Sequence, residues 1–167
     1  GDGEQPKRGD GILLLERNVA GIIKTADCLP IILYEPLYPM AAIVHAGWRG
    51  TAKKITKKAI EEMIRNGADI KHIAALLGPA IGMCCYEIGE DVYRIYKKQG
   101  FSEGVFQKKG HSLYLSLKAA NIEILHKAGV NEVSDTGLCT YCNEKLFASF
   151  RRGDKGSRQI NFVSLRG

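Results

Sequence analysis

The sequence predicts a layered α+β domain, and three observations carry that expectation. Short apolar runs rich in Ile, Leu and Val crowd both ends of the chain, with amphipathic segments of helical spacing between them. Strands outnumber helices and do not alternate with them strictly, which argues against a purely parallel sheet. The 167 residues, 45% of them hydrophobic, suffice for one core, so 1–167 reads as a single domain.

Residues 1–10 (GDGEQPKRGD) are polar and glycine-rich and read as a loop. Strands are expected at Ile12–Leu15, Val19–Ile23, Leu29–Tyr34 and Ala41–His45, several buried on both faces and broken by Asn18, Pro36 and Pro39. Thr51–Arg65 is the clearest helix: its apolar residues at 52, 55, 59, 60, 63 and 64 keep one face. Thr51 is its candidate N-cap and Asn66-Gly67 its stop. Ile73–Leu77 reads as a strand closing on Gly78-Pro79, and Glu87–Lys98 as a second helix ending at Gly100. After loop and short strand over Phe101–Tyr114, Leu115–Ala128 is a third helix, with Ala119, Ile122 and Leu125 inward and Gly129 as its stop. Short strands at Glu132–Ser134, Phe147–Phe150 and Gln159–Leu165 complete the reading.

No run of 18 apolar residues and no basic-then-apolar leader is present, so a soluble cytoplasmic protein with no membrane partner is expected. The chain opens at Gly1, and a segment upstream of it is expected to be lacking. The formal charge is +6, with lysines grouped at Lys53, Lys54, Lys57 and Lys58 and at Lys97, Lys98, Lys108 and Lys109. The first group lies on the outer face of the clearest helix, where a solvated surface explains it; with no DNA- or RNA-binding signature beside it, nucleic acid is not the expected partner. Five cysteines cannot all pair in one chain, and the expectation is reduced thiols acting as packing residues, metal ligands or nucleophiles.

Four segments could carry chemistry. Thr25-Ala26-Asp27-Cys28-Leu29-Pro30 lies between two apolar strands, where Asp27 and Cys28 would be held by rigid neighbours; a turn carboxylate beside a buried cysteine is the plainer account. His45-Ala46-Gly47-Trp48-Arg49-Gly50 ends a strand and opens a helix. There Gly47 allows close backbone approach and Arg49 supplies a fixed cation for phosphate, while His45 alone is as readily a hydrogen-bonded core residue. Gly78-Pro79-Ala80-Ile81-Gly82-Met83-Cys84-Cys85-Tyr86-Glu87 could cradle an anion on the amides of Gly78 and Gly82, but it lacks the Lys-Ser/Thr ending of a P-loop. Vicinal Cys84 and Cys85 read as packing residues. Cys139-Thr140-Tyr141-Cys142 is redox pair or half a zinc clamp by pattern, yet no thioredoxin-like βαβ unit accompanies it and Cys84-Cys85 does not look like a second clamp half. The cations of Phe150-Arg151-Arg152 read as a surface feature or an anion contact.

Taken in order, TADCLPIILY, HAGWRGT, LGPAIGMCCYEIG and CTYCN…FASFRR resemble the YfiH/FAMIN-like laccase-domain family, also called multicopper polyphenol oxidases, over about Asp10 to Arg158. The resemblance implies an α/β/β/α sandwich with mixed sheets and a zinc site of one cysteine and two histidines, matching Cys28 and His45 here. The third ligand belongs to an upstream Gln-x-His-Gly segment that this chain lacks, and His72, His111 and His126 do not match it. The implied activity is phosphorolysis of adenosine, inosine, guanosine and methylthioadenosine, with deamination of adenosine, on purine nucleosides and phosphate. Four histidines are too few for a laccase-type copper cluster, so the name's copper is set below zinc. On this reading Cys28 and His45 hold the metal, Asp27 shuttles a proton or orients the ligands, and Arg49 with Gly47, Gly78 and Gly82 holds phosphate. The chain departs from the family at Leu115-Ser116-Leu117, Phe150 and Ser157, none of which touches Cys28 or His45.

Two other classes remain, of which the first uses the same residues differently. A metal-free cysteine hydrolase or deamidase would take Cys28 as nucleophile and His45 as base. A non-enzymatic anion-binding module would act through the basic helix and bind with strong salt dependence. Polyphenol oxidation is the third alternative, carried by the family name alone.

Overall fold

The computed structural model describes residues 9–166; the first eight residues of the expected N-terminal loop, and the histidine expected upstream of them, lie outside the described residues. Strand β1 (Gly11–Leu14) and strand β2 (Ala20–Thr25) come first, then β3 (Leu29–Glu35) and β4 (Met40–Ala46). The Ile/Leu/Val runs form strands because β-branched and apolar side chains suit a pleated surface; β3 and β4 are covered on both sides, whereas β1 and β2 leave Ile12 and Ile22 exposed. β4 is buried along its length except at His45, which is half-buried. Glu35 ends β3 with its carboxylate buried, accepting from the amides of Leu37 and Tyr38 at 2.8 and 2.7 Å and so closing the turn into β4.

The expected helix over Thr51–Arg65 is two helices, α1 (Trp48–Ala52) and α2 (Ile55–Arg65). Lys53 and Lys54 break it, Lys54 in the left-handed region at φ 57°. Its ammonium lies 3.4 Å over the Phe101 ring, so this lysine is folded inward and not on a solvated face; burial first, then Lys127, lowers its pKa. Thr51 sits within α1, fully buried, and is no N-cap. Its hydroxyl accepts from Asn121 Nδ2 (3.0 Å), while Thr56 donates to Asn121 Oδ1 (2.6 Å), so one buried amide joins α1 and α2 to α4 (Leu117–Ala128).

Between these helices run β5 (Ala74–Leu77), β6 (Glu87–Ile88), α3 (Glu90–Lys98), β7 (Phe106–Lys109) and β8 (Ser112–Leu115). The second helix thus begins at Glu90, because Glu87 and Ile88 pair with Tyr114 and Leu113. Leu115 likewise closes β8, and Ser116 caps α4 by accepting from Ala119 N at 3.0 Å. α4 buries Leu117, Ala120, Asn121, Ile124 and Leu125, a face turned slightly from the expected Ala119, Ile122 and Leu125. Strands β9 (Glu132–Asp135) and β10 (Gln159–Ser164) finish the chain. The strand expected at Phe147–Phe150 is absent; this stretch is turn and irregular chain with Phe150 exposed.

The central sheet has the order β1-β4-β3-β5-β9, antiparallel except for the β5–β9 pair. Helices α2 and α4 pack together, with α2 against β4. The two-stranded β2–β10 ribbon packs on β4 by way of Leu14, Ala41 and Leu165. A small β6-β8-β7 sheet stands beside α3. This is the layered α+β domain with mixed sheets that the sequence predicts. Among the described residues no helix is long and apolar enough to cross a membrane.

Candidate active site at the end of the central hairpin

The register of the β3–β4 hairpin sets Leu29 opposite Ala46 and Pro30 opposite His45. One residue further out, Cys28 meets Gly47 so closely that a Cβ on Gly47 would lie 2.9 Å from Cys28 Sγ. Glycine here is a steric requirement. Residues opposite each other share a face and alternate residues repeat it, so Cys28 and His45 are diagonal neighbours on one face, within reach of a common ligand. The pocket they line, about 180 Å³, also takes in Asp10, Gly47 and the first residues of α1 with Arg49. Arg49 is exposed, its guanidinium 4.3 Å from the Trp48 ring centroid. The buried hydroxyl of Tyr96 donates to the Trp48 carbonyl (2.9 Å) and holds the start of α1 in place.

Asp10 carries no sequence signal, because only the β1–β4 register brings it here. The His45 amide donates to the Asp10 carbonyl at 2.7 Å, and the Asp10 carboxylate lies 3.7 Å from His45 Nδ1. Burial, then Asp27 and Asp10, push the Cys28 thiol up, with Arg158 opposing. An activated cysteine nucleophile has the opposite surroundings; a bound cation would reverse the sign. A sulfur and an imidazole over a space that a single Cβ would fill are donors of the type zinc takes. A laccase-type copper cluster does not fit the donors, since His72, His111 and His126 lie on a 3₁₀ turn, a β7–β8 turn and α4 respectively.

Asp27 is one residue from Cys28 but faces elsewhere. Held at φ 82°, it accepts from Thr140 Oγ1 at Oδ1 (2.7 Å) and from Ser149 Oγ (3.0 Å) and the Arg151 amide (2.7 Å) at Oδ2. Its carbonyl accepts from the Ile81 amide at 2.9 Å. The carboxylate therefore clasps the irregular segment between β9 and β10. Gly78 and Gly82 do not face the pocket, and their amides are occupied: Gly78 donates to the Pro30 carbonyl (2.9 Å) and Gly82 to Cys139 Sγ (3.2 Å). The expected anion cradle is a structural turn. Arg151 and Arg152 likewise serve the backbone, Arg151 donating to the Glu87 carbonyl and Arg152 to those of Thr140, Tyr141 and Phe147.

The structure also joins two pairs that look unrelated in sequence. Cys84 and Cys85 come together with Cys139 and Cys142, all four sulfurs within 4.8 Å of one another. The expectation that Cys84-Cys85 could not supply a second clamp half is thereby corrected: the Ala80–Cys139 bridge carries one loop onto the other. Burial opposes the Cys139 thiolate, yet the amides of Gly82 and Cys142 bring its pKa down to about 7.

Solved structures share this fold. The YfiH protein of Bacillus licheniformis superposes with a TM-score of 0.88 at 33% identity, covering 94% of this chain and 61% of its own. YlmD of Geobacillus stearothermophilus gives 0.87 at 32%, covering 95% and 61%. Adenosine deaminase RL5, from an unknown prokaryotic organism, is 36% identical over 89% of this chain and 60% of its own. The purine nucleoside phosphorylase of Deinococcus radiodurans is 36% identical over 86% and 56%. The chain thus spans about 60% of the length of these relatives. Residues 2–166 match the family described as multi-copper polyphenol oxidoreductase laccase, and the chain belongs to that family.

Proposed function

We propose that the Cys28–His45 pocket is the reacting end of a zinc-dependent purine nucleoside enzyme, which phosphorolyses adenosine, inosine, guanosine and methylthioadenosine and deaminates adenosine. The observation that carries the reading is a thiol and an imidazole set diagonally on one sheet face, over a glycine that leaves room for the sulfur. The names of the relatives, adenosine deaminase and purine nucleoside phosphorylase, supply the substrate class.

Cys28 and His45 would hold the metal together with a third histidine from outside the described residues. A three-ligand zinc keeps one position open and supplies Lewis acidity and activated water there. Asp10 would position His45, its carboxylate lying 3.7 Å from Nδ1. Arg49 binds phosphate at the pocket rim and steadies the charge that develops as the purine leaves ribose C1′. Asp27 acts through the segment it clasps and is a positioning residue, not a proton shuttle. At about 180 Å³ the pocket is smaller than the ~300–1,000 Å³ of small-molecule sites, so it seats the reacting group and not the whole nucleoside.

The test is incubation of the full-length, zinc-loaded protein with adenosine and inorganic phosphate, followed by chromatography. Adenine reports phosphorolysis and inosine reports deamination. Cys28→Ala and His45→Ala are expected to lower either rate about 100-fold or more. Neither product forming overturns the proposal.

A further inference from the structure

The four-thiol cluster lies apart from the Cys28 pocket, with all four sulfurs within 4.8 Å of one another. Cys84 Sγ is 3.7 Å from Cys139 Sγ, 3.7 Å from Cys142 Sγ and 3.5 Å from Cys85 Sγ, and Cys85 Sγ is 3.4 Å from Cys142 Sγ. An ion bonded to four sulfurs at ~2.3 Å in a tetrahedron requires edges of about 3.8 Å. We propose that Cys84, Cys85, Cys139 and Cys142 hold a structural zinc ion as a closed tetrathiolate.

Three further features support the assignment. Three of the thiols are not core packing: Cys84 and Cys142 are exposed and Cys139 is half-buried, while half-buried Cys85 packs against the core. The surrounding backbone is built to serve sulfur, because the Gly82 amide donates to Cys139 Sγ, and a Cβ on Gly82 would meet Cys84 Sγ at 3.0 Å and Cys139 Cβ at 3.3 Å. The Cys139–Cys142 loop is pinned from outside by Arg152, whose guanidinium donates to the Thr140 and Tyr141 carbonyls. Binding forms four Zn–S bonds and releases the proton of each thiol that still carries one, with no change in oxidation state.

With all four positions filled by protein, the ion has no open site and its work is to staple. It ties the 82–86 turn to the irregular chain between β9 and β10, the same chain that presents Thr140, Ser149 and the Arg151 amide to Asp27. The staple thus sets the shape of the wall behind Cys28 without touching substrate.

The experiment uses the full chain purified under reducing conditions without added metal, alongside a Cys28→Ser/His45→Ala variant in which the other candidate ligands are removed. About one zinc per chain in that variant supports the proposal, as does its loss on adding Cys84→Ser and Cys142→Ser. Exchange of the ion for Co²⁺ gives the visible charge-transfer bands of a tetrahedral thiolate, which report the ligands directly without relying on a variant's fold. A metal-free variant with four free, titratable thiols overturns the proposal. So does a mass deficit showing disulfides, or iron in place of zinc. Because the measurement is made without the Cys28 pocket, its failure and the failure of the nucleoside reading are separate results.

Discussion

Asp27 offers the sharpest test of how the site is held together. Replacing it with Ala removes the acceptor for two buried hydroxyls and one amide, each hydrogen bond to a charged group being worth ~1.5–3 kcal/mol, with partial relaxation expected. It also leaves a Cβ-bearing residue at φ 82° without the side-chain bonds that tolerate that region, a further ~1 kcal/mol. Asp27→Ala should therefore destabilise by about 4–6 kcal/mol, a large share of the ~5–15 kcal/mol typical of a domain. Asp27→Asn behaves differently. The Arg151 amide can only donate, so the amide oxygen must stay at the Oδ2 position and the NH₂ must face Thr140, whose hydroxyl can turn to accept. Asn keeps the framework and should lose only ~1–2 kcal/mol. Urea unfolding of the three proteins measures both numbers. Equal losses for Asn and Ala, or an Ala loss below ~1 kcal/mol, would refute the hydrogen-bond argument. Turnover separates the roles: a positioning residue leaves the Asn variant within about tenfold of wild type, whereas a proton shuttle loses ~10²–10⁴.

Gly47→Ala should lower zinc affinity by about 10–100-fold by pushing on Cys28 Sγ, with little change in unfolding midpoint; calorimetric zinc titration reads it. Asn121→Leu strands the hydroxyls of Thr51 and Thr56 and should cost ~2–4 kcal/mol in denaturant unfolding. Tyr96→Phe frees the Trp48 carbonyl and should cost ~1 kcal/mol while raising the KM for phosphate more than it lowers kcat. Neutralising Lys53, Lys57 and Lys58 together should leave nucleoside turnover unchanged, since these exposed lysines lie outside the pocket.

The strands were legible because burial on both faces leaves near-continuous apolar runs, and β3 and β4 show them. The break at Lys53–Lys54 was not, since the helical spacing of apolar residues runs straight through it. Phe147–Phe150 read as a strand from its aromatics, yet its backbone serves Asp154 and Arg152 instead of a ladder. Cys28 and Gly47 could be singled out in sequence because they flank strand ends, but their contact is a matter of register. Asp10 depended on register too. Gly78 and Gly82 looked like an anion loop because composition does not say where amides point. The four thiols stayed hidden because two pairs more than 50 residues apart meet only through the Ala80–Cys139 bridge.

The pairing of β2 with β10 has a consequence for how the chain is made. β2 contributes Ile22 and Ile23, and its partner is synthesised long after it: Thr25 aligns with Gln159, and Ile22 with Phe162. At ~5–20 residues per second, the ribosome takes roughly 7–27 s to reach Gln159 after Thr25. Throughout that interval β2 is a strand with unpaired backbone and apolar side chains, the kind of edge that recruits other chains. Holding β2 against the nascent sheet, or shielding it with a chaperone, is then what decides the yield of folded protein, and a shift to slower synthesis at low temperature lengthens the exposure.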